Sequence, residues 1–364
     1  MLKRAIPVAK FLLPALLFGY VAIANVDIRD KIAAIFSGLP ADGGGLRHGM
    51  LAAALDALYK TELPHRELAF DVIGAARYMV FGEGRRGVIV GTEGWLFSDE
   101  EFRGAASADV GIDDGVKEIA KIAATLRSYG VRLIVVPLPA KNDIYREHLA
   151  DHRYAQISQD RYDEFVRSMV SSNIEYVDAR AALLNAKATG AVFLKTDTHW
   201  TPFGAKVVAD ATQAEAGISP TVQYMLNDAP AEDVRGDLVK FVTGSALSAE
   251  IGLNDEIITP QTVSQTGPDD LNDILGEDES FSTVLVGTSY SANEAWSFPS
   301  YLEAALGSKV LNVAEAGRGP VFPMHKFLSH ASAKSWPQTV VWEFPIRYLT
   351  DPALWKPDDL RKKE

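Results

Sequence analysis

The chain has 364 residues, 47% of them hydrophobic and 23% charged, enough to bury a sizeable core in one large domain or two smaller ones. Acidic residues exceed basic ones by 48 − 36 = 12; with no long basic run, a nucleic-acid partner is excluded, and anionic polymers are repelled unless a local groove reverses the sign. There is no cysteine, so disulfides, thiolate nucleophiles and thiolate metal sites are excluded.

The N-terminus carries Lys3, Arg4 and Lys10 ahead of an uncharged, mostly apolar run, Phe11 to Ala24. A basic flank followed by such a run predicts a signal peptide or signal anchor over 1–26, with the remainder exported. Residues 27–84 read as a linker punctuated by Gly38, Pro40 and Gly43-Gly44-Gly45, followed by helices over Arg47–Tyr59 and Arg66–Met79. Gly87–Gly91 and Trp95–Phe97 read as strands joined by a turn at Glu93-Gly94.

From residue 112 helices alternate with apolar strands. A helix capped by Asp113 or Asp114 runs through Tyr129. Strand Val131–Val136 follows, closed by Pro137 and Pro139. Then come helix Gln159–Val170, strand Ile174–Val177 and helix Ala179–Ala188. Thr201 caps a helix with Pro202 at its first position, running to about Ala216. Residues 217–281 are rich in Asp, Gly, Pro, Thr and Ser and break the rhythm; they read as an insertion over the site or a mobile loop. The alternation resumes with strand Ser282–Val286, a helix to Leu306, strand Lys309–Val313, helix Pro323–Ala333 and strand Thr339–Phe344. A charged tail closes the chain over 351–364. Strands that read as buried on both faces, the first broken only by Arg132 and each followed by a helix, predict an α/β fold around a mostly parallel sheet. There is no Walker loop and no G-x-G-x-x-G, and Gly82-x-Gly84 beside Arg85 and Arg86 lacks the strand a phosphate loop requires. No cofactor is expected.

Ligands collect at the carboxyl ends of strands in an open α/β sheet. Ser289 lies just past such an end, in Gly287-Thr288-Ser289-Tyr290-Ser291. It is either a nucleophile or a helix cap, and Ser291 is the competing hydroxyl. His199 follows Asp197 by two residues; in an extended segment both would point to one side, the carboxylate accepting one ring N–H and leaving the other nitrogen free. A metal reading of the pair lacks further histidines nearby, and no metal is expected.

Thr-Asp-Thr-His-Trp-Thr (196–201) and Val-Gly-Thr-Ser-Tyr-Ser (286–291) together resemble the alginate O-acetyltransferase family, the AlgJ and AlgX group of SGNH hydrolase-like proteins. Gly94–Phe97, the stretch from Val136-Pro137 to Tyr145, Ala316–Pro320 and Val341–Phe344 support the match in family order. The resemblance implies a three-layer SGNH-like domain over 85–350, with Asp197, His199 and Ser289 as a triad in circularly permuted order. It is nearest to the membrane-anchored AlgJ type. It further implies acetyl transfer through an acetyl-serine onto hydroxyls of an exopolysaccharide, acidic or neutral. The enzyme would act in the periplasm at the inner membrane, with a membrane-bound O-acyltransferase protein as acetyl donor. Arg318, Tyr290, Lys141 and Trp296 are the candidates for binding the polymer. Two other readings stay open, a carbohydrate acetylesterase with the same triad and a non-catalytic polysaccharide-binding protein.

Overall fold

A computed structural model of the chain describes residues 18–20, 22–23, 25–26, 28–39, 49–62, 66–103, 108–220, 222–266, 281–330 and 336–356. Two compact units result, Met1–Ala76 and Arg77–Glu364. The first holds α1 (Arg29–Ser37) and α2 (Met50–Glu62), and α3 (Arg66–Phe81) runs from it into the second. The apolar run Phe11–Ala24 lies largely outside the described residues, and among these no helix is long and apolar enough to cross a membrane.

The second unit opens with a hairpin, β1 (Val88–Val90) and β2 (Leu96–Ser98), closed by Glu93 and Gly94 at φ 56° and 78°. Next come α4 (Ala108–Ser128), β3 (Arg132–Leu138), the single turn α5 (Lys141–Ile144), α6 (Arg153–Ser171), β4 (Glu175–Tyr176) and α7 (Ala179–Ala186). Helix α8 (Pro202–Ala216) starts as its sequence predicts, the Thr201 hydroxyl accepting the Gly204 N–H at 3.0 Å. Strand β3 continues through Pro137, where a stop was expected. It pairs with β4 only at Ile134 and Val135, so the proline nitrogen falls on an edge with no neighbour left to receive a donor.

Residues 217–281 are more ordered than their composition suggests. They form two antiparallel ribbons, β5 (Gln223–Asp228) with β8 (Gln261–Thr266) and β6 (Glu232–Val234) with β7 (Glu256–Ile258); residues 267–280 lie outside the described set. Strand β9 (Thr283–Val286) then leads into α9 (Ser289–Ala292) and α10 (Phe298–Leu306), which replace the single helix expected there. The break falls at Ser297, whose φ of 60° no helix interior allows. Strand β10 (Val310–Asn312), α11 (Val321–His330) and β11 (Thr339–Pro345) complete the alternation. The expected tail is partly structured, since Trp355 is buried; residues 357–364 lie outside the described set.

The central sheet has order β10-β9-β11-β3-β4, with every pairing parallel. The inner strands β9, β11 and β3 are mostly apolar because both of their faces are covered, while the edge strands β4 and β10 are partly exposed. Val135, Val284, Val286, Val340, Trp342 and Phe344 pack on α4, α6 and α11. The alternate residues Ile134, Val136, Leu138, Leu285 and Val341 pack on α7, α8 and α10. This is the α/β arrangement around a parallel sheet that the sequence predicts, in the three layers that the resemblance implies. The chain leaves β3 toward one edge and β9 toward the other, and β11 returns between them. The carboxyl ends of β9, β11 and β3 therefore flank the topological switch point, where an open sheet leaves a crevice.

Candidate active site

The segment 192–201 folds back on itself. Leu194 N–H donates to the His199 carbonyl at 3.1 Å and Thr201 N–H to the Val192 carbonyl at 3.1 Å. Trp200 anchors the hairpin in the core with no exposed surface. The tip, Lys195–Thr198, has no regular partner strand, so distant side chains satisfy its backbone. The Glu256 carboxylate accepts the N–H groups of Lys195 (2.9 Å) and Thr196 (3.0 Å). The Asp237 carboxylate accepts the N–H (2.8 Å) and hydroxyl (2.7 Å) of Thr198. Lys141 Nζ, buried after β3, donates to the carbonyls of Leu96 (2.6 Å), Lys195 (3.0 Å) and Asp197 (2.8 Å). Gly236 must be glycine, because a Cβ there would lie 2.1 Å from the Thr196 carbonyl oxygen.

Asp197 and His199 sit on this tip. The Asp197 carboxylate accepts His199 Nδ1–H at 2.6 Å, the His199 backbone N–H at 2.8 Å and the Asp237 N–H at 2.7 Å. The segment is thus a bend closed by the aspartate, as in an Asx turn, and not extended as expected. Burial pushes the Asp197 carboxyl up, but the hydrogen bond and charge of His199 and the two backbone donors outweigh it and hold it below the ordinary carboxylate value. An ionised Asp197 only accepts. Nδ1 therefore carries the imidazole proton, and Nε2 is left as an acceptor.

Nε2 lies 2.8 Å from Ser289 Oγ. Ser289 opens α9 at the carboxyl end of β9, half-buried, while the Thr288 side chain caps that turn. Behind it Glu343, fully buried on β11, accepts the Thr288 N–H (2.9 Å) and the Ser291 hydroxyl (2.7 Å). Ser291, the competing hydroxyl, is thereby turned into the protein. The Trp296 ring stacks on His199 with centroids 5.3 Å apart and planes at 22°, restraining the imidazole.

The four expected polymer contacts fall elsewhere. Lys141 is 1% exposed and its donors face backbone carbonyls, so the expectation that it meets a polysaccharide is corrected. Burial lowers its pKa to about 8, opposed by the charges of Glu101, Asp197, Glu256 and Asp237. Tyr290 is buried too, its hydroxyl donating to the Thr198 carbonyl and accepting from Arg347 Nη1 at 3.0 Å. Trp296 is 3% exposed and serves the histidine. Arg318 is exposed beyond β10 and stacks over Phe322 at 5.0 Å. None of the four lines the cleft of about 470 Å³ onto which Ser289 and His199 open.

That cleft is instead walled by Arg86 and Gly87 just before β1, by residues from Ser98 to Arg103 at and beyond the end of β2, by the segment 237–241 and by Arg347. Arg347 follows β11 at its carboxyl end, the position that singled out Ser289 after β9, so the same rule finds it in the sequence. Asp237 left no signal, because its segment has no helical or strand period. A smaller hollow, about 300 Å³, lies at the opposite ends of β3 and β4 and contains no nucleophile or histidine. Asp197, His199 and Asp237 present potential metal-ligand atoms within 4.8 Å of one another. Both oxygens of each carboxylate already accept protein donors at 2.6–2.8 Å.

The chain is similar to known proteins in sequence and fold. The family model for the SGNH hydrolase-like domain of the acetyltransferase AlgX covers residues 88–346. The chain belongs to that family. A probable alginate O-acetylase AlgJ from Azotobacter vinelandii is 40% identical over 326 residues, 88% of this chain and 84% of its own length. A protein of the same description from Pseudomonas putida is 39% identical, covering 84% and 81%. Among solved structures, the O-acetyltransferase domain of Pseudomonas putida AlgJ superposes with a TM-score of 0.65 at 34% identity, covering 76% of this chain and 98% of that one. As a member of the AlgX/AlgJ family the chain is an acetyltransferase.

Asp237 secures the tip from outside the motif. Asp237→Ala is expected to lower kcat about 10–100-fold, with a smaller change in KM, because the His199 ring loses its fixed distance to Ser289. Steady-state kinetics with an acetyl ester checks this; an unchanged kcat would remove the residue from the site's support.

Proposed function

We propose that this chain transfers acetyl groups, through an acetyl-Ser289 intermediate, onto hydroxyls of alginate or a similar exopolysaccharide in the periplasm. The reading rests on one observation above the rest, the relay from the Asp197 carboxylate through His199 to Ser289 Oγ with links of 2.6 and 2.8 Å. As Oγ attacks the acetyl carbonyl carbon, its proton passes to Nε2, and Asp197 stabilises the imidazolium. The Ser289 N–H, at the first position of α9, would meet the oxyanion, a donor worth about 3–4 kcal/mol. The imidazolium then protonates the leaving group of the donor. In the second half His199 takes the proton of a sugar hydroxyl, that oxygen attacks the acetyl carbon, and Ser289 regains its proton.

The names of the relatives support alginate as acceptor. The basic-then-apolar N-terminus supports export and anchoring at the inner membrane. Outside the cytoplasm acetyl-CoA is absent, so the donor group would arrive through a membrane-bound O-acyltransferase protein. Arg318, exposed beyond β10, offers an outlying contact for a longer polymer.

The test is to incubate the protein with a chromogenic acetyl ester, with and without oligosaccharide acceptors, and to follow both products by mass spectrometry. An acetyl adduct on the Ser289 peptide without acceptor, and acetylated sugar when acceptor is added, are expected. Acetate alone with every acceptor would replace the transferase with an esterase, and no turnover of any ester would leave a binding role.

A further inference from the structure

The cleft reverses the sign of the chain around it. The protein carries a net charge of −12, yet Arg86, Arg103, Lys240 and Arg347 line the cleft against Asp99, Glu100 and Asp237. The acids are matched within the protein. Glu100 takes Arg347 Nε at 3.2 Å, Arg103 lies 3.6 Å from Asp99, and both Asp237 oxygens hold Thr198. Arg86 and Lys240 are exposed, and neither has a carboxylate partner among the described residues; Lys240 Nζ only lies over the Phe241 ring at 5.1 Å.

Their placement is built. The turn before β1 is tied to the segment 239–241, with Arg85 N–H donating to the Phe241 carbonyl at 2.8 Å and the Arg85 guanidinium to the Lys240 carbonyl. Gly87 closes the seam, since a Cβ there would come 2.5 Å from the Phe241 ring. Arg86 and Lys240 thus stand on adjoining turns of one rigid wall, in the cleft that ends at Ser289.

We propose that Arg86 and Lys240 form a carboxylate subsite, which takes the uronate carboxylates of an acidic polysaccharide while a hydroxyl of the same polymer reaches Ser289. The assignment rests on the acetyl-transfer reading and gives the carboxylates of its acceptor a place in the cleft. Exposed charges contribute modest affinity and more selectivity, so the effect should appear as a preference between charged and neutral chains.

The experiment titrates full-length Ser289→Ala protein with a short oligouronate, and with the same oligomer after reduction of its carboxylates to alcohols, by calorimetry at two salt concentrations. The oligouronate is expected to bind about tenfold more tightly than its reduced form, and less so at high salt. Adding Arg86→Gln and Lys240→Gln should bring the ratio near one, while Arg86→Lys with Lys240→Arg keeps it. Equal binding of the two oligomers to Ser289→Ala, no measurable binding of the oligouronate, or a preference that survives the double Gln variant would each overturn the subsite. Acetyl transfer is read separately with the unmodified enzyme. Transfer without charge preference defeats only the subsite, and charge preference without transfer defeats only the acetylation reading.

Discussion

Ser289→Ala and His199→Ala are each expected to lower acetyl transfer by at least about 10⁴-fold, and the double variant by no more than the worse single one. Without Oγ there is no atom for the acyl group to occupy. Without the imidazole, Oγ–H has no base within reach, because the neighbouring buried carboxylate, Glu343, faces Thr288 and Ser291. The two side chains form one device 2.8 Å across, so removing either removes it. Both losses should fall on kcat, as Ser289 is only half-buried and His199 is held by Asp197 and Trp296 and not by the polymer. Single-turnover kinetics with an acetyl ester separates the steps. A Ser289→Ala enzyme that still transfers acetyl at a rate within tenfold of the parent, a limit set well inside the expected loss, would dismiss the relay.

Lys141→Met should be the most damaging change away from the reacting atoms. The lysine brings a full charge into a buried site, and three carbonyls from β2 and the tip Lys195–Thr198 depend on it. Each buried carbonyl left without its donor costs about 1–3 kcal/mol, a large share of the roughly 5–15 kcal/mol that holds a domain together. The denaturation midpoint should fall clearly, and kcat by about 100-fold, as the Asp197 peptide shifts.

The pH dependence has two signs. Unfolded, the lysine keeps its proton to its ordinary value of 10.5; folded, burial lowers this to about 8. Between these values the unfolded chain binds the additional proton, so the unfolding free energy from this group rises with pH across that window. Over the same window the neutral amine keeps two N–H donors for three carbonyls, so kcat should decline above about pH 8. Parallel pH profiles of kcat and of urea midpoints test this. An alkaline limb near pH 8 that persists in Lys141→Met would assign it to another group.

Much of the candidate site is legible in the sequence. Asp197, His199 and Ser289 each sit in a short, chemically distinctive motif, and the position of Ser289 follows from a strand pattern with a turn at its end. The polymer contacts were not legible. Lys141 is one polar residue after two prolines, and nothing in that string tells a surface charge from a buried clamp. Glu343, a lone acid in an apolar strand, carried a signal of its own: such a residue must find donors inside, and Thr288 and Ser291 are those donors. Asp237, Glu256 and Gly236 lie where the sequence shows no period, because short ribbons read in isolation look like loops.

The sequence by itself determined the layering, because strands apolar on both faces require helices on each side, and it offered Asp197, His199 and Ser289 as a candidate trio through motifs that resemble the family's. The tertiary structure alone decided which charges face the cleft. Whether a cation meets solvent, a carboxylate or a backbone carbonyl depends on segments distant in the chain, as Leu96, Lys195 and Asp197 surround Lys141 while no described carboxylate reaches Arg86 or Lys240. Periodicity encodes burial, but the partner of a polar group is set by packing between elements, and one-dimensional spacing does not carry it.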